Sequence, residues 1–220
     1  MLRKLKLLWR QFNYVEGRPG NAALAAQTVY EFNGNSIDQQ MRVWAATATG
    51  RRYLAGERIL DNIESFRDRD PNTLGAKYLE FIDKYNFGEV NSDISIIHGR
   101  YKNEIEKAYG TFMADTHDFT HVITGYPPDT LGELMRIRVY KQYEGKGWNV
   151  LDRLGWLKTR FYPTQERTWY DKCAQEANET ARFAKNYILE DWFKLLGTHI
   201  KKVRQNLNTN STIYHNWEKR

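Results

Sequence analysis

The chain has 220 residues, a length that fits one domain with a substantial core. Hydrophobic residues make up 41% of it and charged residues 27%, as in an ordinary soluble globular protein. The net charge of +6 favours anionic partners such as acidic lipid, but Lys and Arg form no concentrated stripe, which argues against a nucleic-acid binder. Cys173 is the only cysteine, so no disulfide can form within the chain.

Residues 2–12 have the pattern of an amphipathic basic helix. Its apolar stripe at helical spacing consists of Leu5, Leu8, Trp9 and Phe12. A basic helix with such a stripe can lie on a membrane surface, or it can dock on the body of the protein through the same stripe. Amphipathicity alone does not choose between these two interpretations. No apolar run approaches the roughly 18 residues that a membrane span needs.

The remaining periodicity is helical. It predicts helices near residues 21–32, 37–49, 53–63, 74–85, 100–124, 130–143, 151–158, 165–196 (one helix or two) and 200–207. Residues 86–99 are expected to form a loop, with a strand at 94–97 as the alternative, and Gly197 is expected to end a helix. The predicted fold is all-α, a single domain over residues 1–220 built as a bundle of about eight to ten helices.

The long helix predicted before residue 125 contains two histidines, His117 and His121. Because they are four residues apart, both imidazoles lie on one helix face and can bind one ion. Asp118 follows the first histidine, and Glu133 lies near the start of the next helix. Imidazole and carboxylate are good ligands for divalent first-row metals. The sequence therefore predicts a site for zinc, with iron, manganese or cobalt as alternatives.

The spacing leaves several roles open. Asp118 can bind the metal directly or can orient a histidine from behind it, in which case water completes the site. Glu133 can also close a capping box that begins at Thr130. The two histidines can also be polar members of the core.

Around these residues the chain resembles a known family. The string His117-Asp118-x-x-His121, followed by eleven residues and Glu133, is similar to the metal motif of the Coq-four family of coenzyme Q biosynthesis proteins. The flanking residues that support this resemblance are Phe119, Gly125 and Gly132. A second stretch, Leu74-Gly75-Ala76-Lys77-Tyr78, is similar to the family's Leu-Gly-x-x-Tyr segment. The resemblance extends from about residue 15 to residue 208.

The resemblance implies a mostly helical peripheral membrane protein, on the cytoplasmic side in a bacterium or on the matrix side of the mitochondrial inner membrane. It implies a divalent metal held by His117, Asp118, His121 and Glu133, and an apolar cavity for an isoprenoid chain. The residues assigned to lipid or substrate are Leu74, Tyr78 and Met113. The implied partners are a prenylated quinone precursor, the membrane surface, other quinone-biosynthesis enzymes and a second copy of the chain.

Three functions follow from the residues and the resemblance together. The first is metal-assisted loss of the ring carboxylate from a prenylated hydroxybenzoate, coupled to hydroxylation of the same carbon. The second is a prenyl-lipid-binding scaffold in which the metal only joins two helices. The third is a His-Asp metal phosphohydrolase, which would need His98 upstream and leaves Glu133 unexplained. One departure concerns Asp115, since the family pattern has more basic character just before the motif.

Overall fold

The structure is a computed structural model, and it describes residues 2–12, 28–29, 31–33, 36–87 and 102–209. In chain order the α-helices that are described over their whole length are α1 (Leu2–Phe12), α2 (Ser36–Ala45), α3 (Ala48–Leu54), α4 (Leu74–Tyr85), α5 (Glu104–Thr124), α6 (Thr130–Glu144), α7 (Lys146–Thr159), α8 (Thr164–Phe183), α9 (Trp192–Leu196) and α10 (Ile200–Asn206). Short 3-10 helices lie at Ile63–Phe66 and Tyr187–Leu189. Within the described ranges the β structure consists of an isolated bridge between Thr73 and His199, and there is no β-strand. The predicted all-α fold is therefore confirmed.

Residues 165–196, predicted to form one helix or two, form one long helix followed by two short ones. The α8 helix ends at Phe183, and two short helices follow it, each opened by a new side-chain cap. Asn186 accepts a hydrogen bond from the backbone of Ile188, and Asp191 accepts one from the backbone of Lys194. Side chains of this type favour helix starts because they satisfy backbone N–H groups that have no partner within the helix. The helix expected over 21–32 is helical where it is described, and the alternative strand at 94–97 lies outside the described residues.

The fold divides into two compact units, each assembled from separate segments of the chain. Unit 1 comprises residues 1–37, 126–182 and 212–220, and unit 2 comprises residues 38–125 and 183–211. Unit 1 therefore contains α1, α6, α7 and α8. Unit 2 contains α3, α4, α5, α9 and α10, together with nearly all of α2.

An aromatic cluster forms the core of unit 2. The ring of Phe112 on α5 is fully buried, and it packs edge-on against Tyr53 (centroids 5.6 Å apart) and Trp192 (6.2 Å). Phe119, two turns along, packs against the same Trp192 at 5.7 Å. From α10, the Arg204 guanidinium donates to the carbonyl oxygens of the last turn of α5. These contacts fix the rotation of α5, and with it the direction in which its other side chains point.

Unit 1 is held together by the pairing of α6 with α7. Asp152 on α7 accepts hydrogen bonds from Arg138 and Lys141 on α6, both at 2.6 Å. A Cβ atom at Gly155 would lie 2.1 Å from the side chain of Leu134, so the glycine permits the close approach of the two helices. In the same unit, α1 packs on α7 with Leu7 buried.

Candidate metal centre

The end of α5 sets the position of its two histidines. The helix begins at the Asn103 cap and ends at Gly125, whose left-handed backbone (φ 81°) favours glycine. The Gly125 N–H donates to the carbonyl oxygen of His121 at 2.6 Å. His121 therefore lies in the last full turn of α5, and His117 lies one turn before it.

The two imidazoles lie side by side on this helix. Their ring centroids are 5.2 Å apart, and each ring offers a nitrogen within 4.8 Å of the other. His121 is fully buried, whereas His117 is half-buried. The pair has the arrangement that its i, i+4 spacing predicts, with one ring enclosed in the protein and the other partly accessible.

The His121 ring is oriented by an aromatic neighbour from α4. Phe81 lies nearly parallel to it, with centroids 5.9 Å apart and planes 13° from parallel. Phe81 also contacts Tyr85 (4.9 Å) and Phe87 (6.0 Å), which contact each other at 5.9 Å. All three of these aromatic side chains are half-buried. The buried imidazole is therefore bordered by a partly accessible aromatic cluster.

Asp118 is half-buried and lies close to Tyr78 of α4. Burial raises the pKa of Tyr78, and the Asp118 and Asp115 carboxylates raise this pKa further. The Tyr78 ring also stacks on Phe119, with centroids 4.0 Å apart. The Asp118 carboxylate is thus close enough to Tyr78 to raise the pKa of its hydroxyl. Whether Asp118 also belongs to a set of metal ligands stays a prediction.

Glu133 lies in the first turn of α6, in unit 1. The cap of this helix is Asp129, whose carboxylate accepts a hydrogen bond from the Gly132 N–H at 2.8 Å. The interpretation of Thr130 as the cap of a capping box is therefore wrong, because α6 begins one residue earlier than that box requires. The Glu133 carboxylate is instead 3.4 Å from Nε of Arg136, which is itself buried and ion-paired with Glu144 at 3.0 Å.

Close packing explains why the residue directly before Glu133 is a glycine. A Cβ atom at Gly132 would lie 2.0 Å from the carbonyl oxygen of Pro127, which is far inside van der Waals contact. Similarly, a Cβ atom at Gly75, in the Leu-Gly-x-x-Tyr stretch, would lie 2.6 Å from the Phe66 ring. Both glycines are therefore required by close packing.

The predicted lipid-contact residues occupy different environments. Leu74 is fully buried at the start of α4, where its N–H donates to the carbonyl oxygen of Thr198. Met113 is half-buried and lies four residues before His117 on α5, so it shares the face of the two histidines. Two of the three predicted residues are therefore near the candidate site: Met113 by its position on the helix, and Tyr78 by its proximity to Asp118. The assignment of all three to lipid binding stays a prediction.

A basic residue that no sequence pattern predicted lies beside this motif in the structure. Arg58 donates two hydrogen bonds to the buried carboxylate of Asp115, from Nη2 at 2.5 Å and from Nε at 3.0 Å. Tyr53 donates a third through its hydroxyl at 2.8 Å. The bidentate bond to Asp115 raises the pKa of Arg58. No local pattern could have revealed this pairing, because 57 residues separate the two side chains.

A family model described as "Coenzyme Q (ubiquinone) biosynthesis protein Coq4" matches residues 18–212. The chain belongs to the Coq4 family. This family takes part in ubiquinone biosynthesis. The predicted family membership is thereby confirmed over most of the chain.

Individual Coq4 relatives are distant in sequence. The mitochondrial ubiquinone biosynthesis protein COQ4 homolog of Aedes aegypti is 24% identical over 155 residues, which are 67% of this chain and 52% of that protein. The mitochondrial COQ4 of Ajellomyces capsulatus is 28% identical over 97 residues, 42% of this chain and 34% of that protein. The matched part of the chain thus spans about half of the first relative and about a third of the second.

A solved structure shares the fold. A protein from Nostoc punctiforme, solved at 2.85 Å as a candidate ubiquinone biosynthesis protein, superposes with a TM-score of 0.69 at 13% identity and with 96% of each chain covered. At this identity the likeness concerns the fold, and it agrees with the helical architecture described above.

Proposed function

We propose that the chain binds a divalent metal ion through His117, His121 and Glu133 and acts there on the head group of a prenylated hydroxybenzoate. The proposed reaction is loss of the ring carboxylate, coupled to hydroxylation of the same carbon. The observation that carries the proposal is the side-by-side pair of imidazoles on α5, in a chain that belongs to a family of ubiquinone biosynthesis.

The donor set suits a borderline or hard metal. Imidazole nitrogen and carboxylate oxygen without thiolate fit zinc first, and iron, manganese or cobalt as alternatives. Asp118 would either serve as a further ligand or orient a histidine from behind the metal. Arg136 supports Glu133 by holding one side of its carboxylate.

The residues around the pair can position an aromatic substrate. A divalent cation bound here would act as a Lewis acid and stabilise charge as the carboxylate leaves. His121 is buried and stacked, so it would hold its place, while the half-buried His117 marks the accessible side. Phe81, Tyr85 and Phe87 offer aromatic faces to a ring and to the first isoprene unit. Replacing the carboxylate by a hydroxyl group is a two-electron oxidation, so an external oxidant such as dioxygen must accept two electrons. With water as the source of the added oxygen, the products are the hydroxylated ring, carbon dioxide and hydrogen peroxide.

The isoprenoid tail is proposed to lie along the Met113 face of α5. Burying it would contribute about 0.8 kcal/mol per methylene group. A different cavity, of about 310 Å³ in unit 1, is a poor match for this tail because its lining is mostly polar. The residues that line it are Arg138, Trp156, Asp171, Ala174, Gln175, Asn178, Glu179 and Arg182.

We also propose that the protein works at a membrane surface, on the cytoplasmic side in a bacterium or on the matrix side of the inner membrane in a mitochondrion. The relatives from Aedes aegypti and Ajellomyces capsulatus are named as mitochondrial. In the described part of the chain, every helix is too short or too polar to cross a bilayer. Other quinone-biosynthesis enzymes and a second copy of the chain are the proposed protein partners.

One observation favours the scaffold alternative. A completely buried imidazole such as His121 is typical of a closed, structural metal site, whereas catalysis needs an open position. Under this alternative the protein binds the prenylated lipid without changing it and presents it to other enzymes.

One assay separates the two functions. Metal-loaded protein is incubated under air with a prenylated hydroxybenzoate that carries an isotopic label in its carboxyl group. We expect labelled carbon dioxide from the wild type and none from His117→Ala, while both still bind the lipid. Lipid binding without carbon dioxide release in the wild type, with each candidate metal, would instead support the scaffold.

A further inference from the structure

The outward face of α1 is apolar although the helix is docked. Leu2, Leu5 and Trp9 are 83%, 55% and 69% exposed, whereas Leu7 is 3% exposed. At 100° per residue, the three exposed side chains fall within about 60° of one another and Leu7 lies on roughly the opposite side. The helix therefore docks on α7 through Leu7 and keeps a narrow apolar stripe in solvent. The sequence pattern placed Leu5 and Trp9 on a single apolar face with Leu8, but docking uses a different part of the helix.

Basic side chains lie along one side of this stripe. Residues 2–12 contain four basic residues and no acidic one. Lys6 and Arg10 are exposed and lie about 40° and 80° around the helix from Leu2, directly beside the stripe. An apolar stripe bordered by cations is suited to the boundary between lipid headgroups and acyl chains, where the apolar side chains leave water and the cations meet phosphate.

We propose that this face of α1, composed of Leu2, Leu5, Lys6, Trp9 and Arg10, docks on the surface of an anionic phospholipid bilayer. The charge of the helix decides in favour of this partner, because a neutral bilayer would leave the cations uncompensated and an anionic one attracts them. The proposal depends on the proposed function only in that a membrane-borne substrate gives the docking a purpose. The surface itself is argued from α1 alone.

The test is flotation of the full-length protein with vesicles of phosphatidylcholine alone, or of phosphatidylcholine mixed with phosphatidylglycerol. We expect the wild type to float with the anionic vesicles and to be released by salt. Leu5→Ser combined with Trp9→Ser should weaken partitioning about tenfold or more, because two apolar side chains no longer leave water. Lys6→Gln should weaken it roughly fivefold on anionic vesicles and hardly at all on neutral ones.

Val43→Ser combined with Leu54→Ser is the matched control, since both residues are exposed apolar side chains in unit 2. It should float like the wild type. Circular dichroism of equal amplitude would show that the variants fold. A wild type that stays with the unbound fraction, or a Leu5/Trp9 double variant that floats as well as the wild type, overturns the proposal. So does light scattering that finds a wild-type dimer and a monomeric Leu5/Trp9 variant, because the face would then join two copies.

Metal content separates this proposal from the proposed function. The Leu5/Trp9 double variant should keep its metal while it loses vesicle binding, since α1 carries none of the proposed ligands. A wild type that floats on anionic vesicles but binds no divalent metal would support the docking surface and contradict the proposed function.

Discussion

The His121 imidazole lies against the face of Phe81, with centroids 5.9 Å apart and planes 13° from parallel. Because His121 is fully buried and nearly parallel to this ring, a metal ligand at this position would be preoriented by the aromatic side chain. Phe81→Leu should keep the fold, because Phe81 is only half-buried, and should loosen the imidazole. We expect metal affinity to fall about twofold to tenfold, the range of an aromatic pair.

Competition with a chromogenic chelator measures this affinity. Phe161→Leu is the control, since Phe161 is largely exposed and follows α7 in unit 1. Unchanged affinity in Phe81→Leu would show that the stacking does not orient the ligand.

Gly132 should be sensitive even to alanine. The added Cβ would lie 2.0 Å from the backbone carbonyl of Pro127, which cannot move aside as a flexible side chain would. We expect Gly132→Ala to lower the free energy of unfolding by about 1–3 kcal/mol, as in other overpacked sites. Gly197→Ala is the control, because its nearest neighbour is 4.0 Å away and its φ of −82° suits alanine. Urea titration of both variants is the measurement, and equal midpoints would be the contrary outcome.

Asp115 should anchor α5 in unit 2. Asp115→Asn weakens a bidentate bond to Arg58 and leaves a buried amide facing a guanidinium, so we expect a loss of about 1–3 kcal/mol in unfolding free energy. Arg58→Met should cost less than removal of a fully buried cation, because the Arg58 side chain is 37% exposed and water can reach the site. A double-mutant cycle measures the coupling between the two side chains. Additive effects would mean that the pair contributes nothing jointly.

The burial of the Tyr170 hydroxyl predicts that the protein loses stability at alkaline pH. Burial raises the pKa of its hydroxyl to about 12, whereas the pKa in the unfolded chain is about 10, so between these two pH values the unfolded chain ionises first and the folded state loses stability relative to neutral pH. The free energy of unfolding should therefore fall by about 2–3 kcal/mol as the pH rises from about 10 towards 12.

Tyr170→Phe should therefore flatten the alkaline part of a curve of unfolding free energy against pH. At pH 7 the variant should be at least as stable as the wild type, because the hydroxyl is buried without a hydrogen-bond partner among the described residues. A variant that loses as much stability between pH 10 and 12 as the wild type would contradict this account.

Local sequence patterns predicted much of the fold. The i, i+4 spacing of His117 and His121 was sufficient to place them on one helix face, and Gly197 ended its helix as expected. Helix boundaries that depend on caps were harder to predict. Asp129, and not Thr130, caps the start of α6, and caps at Asn186 and Asp191 begin two short helices after α8. These side chains compete locally for the same backbone N–H groups, and tertiary packing decides which of them caps.

Long-range relationships could not be predicted. The Phe81–His121 stack joins residues from two helices, and the bond from Arg58 to Asp115 spans 57 positions. Neither follows from periodicity, because both depend on how whole helices pack. The steric need for glycine at position 132 likewise appears only when the position of the Pro127 carbonyl is known.

The central claim is that His117 and His121 bind a metal ion together with Glu133. Elemental analysis of purified protein tests it most directly, with His117→Ala, His121→Ala and Glu133→Gln beside the wild type and with His199→Ala as the matched histidine control. We predict roughly one divalent metal ion per chain in the wild type and in His199→Ala, and strong depletion in the other three variants. Asp118→Ala would report whether this carboxylate is a ligand or an orienting group. Equal metal content in all of these proteins, or none in the wild type after loading, would contradict the account.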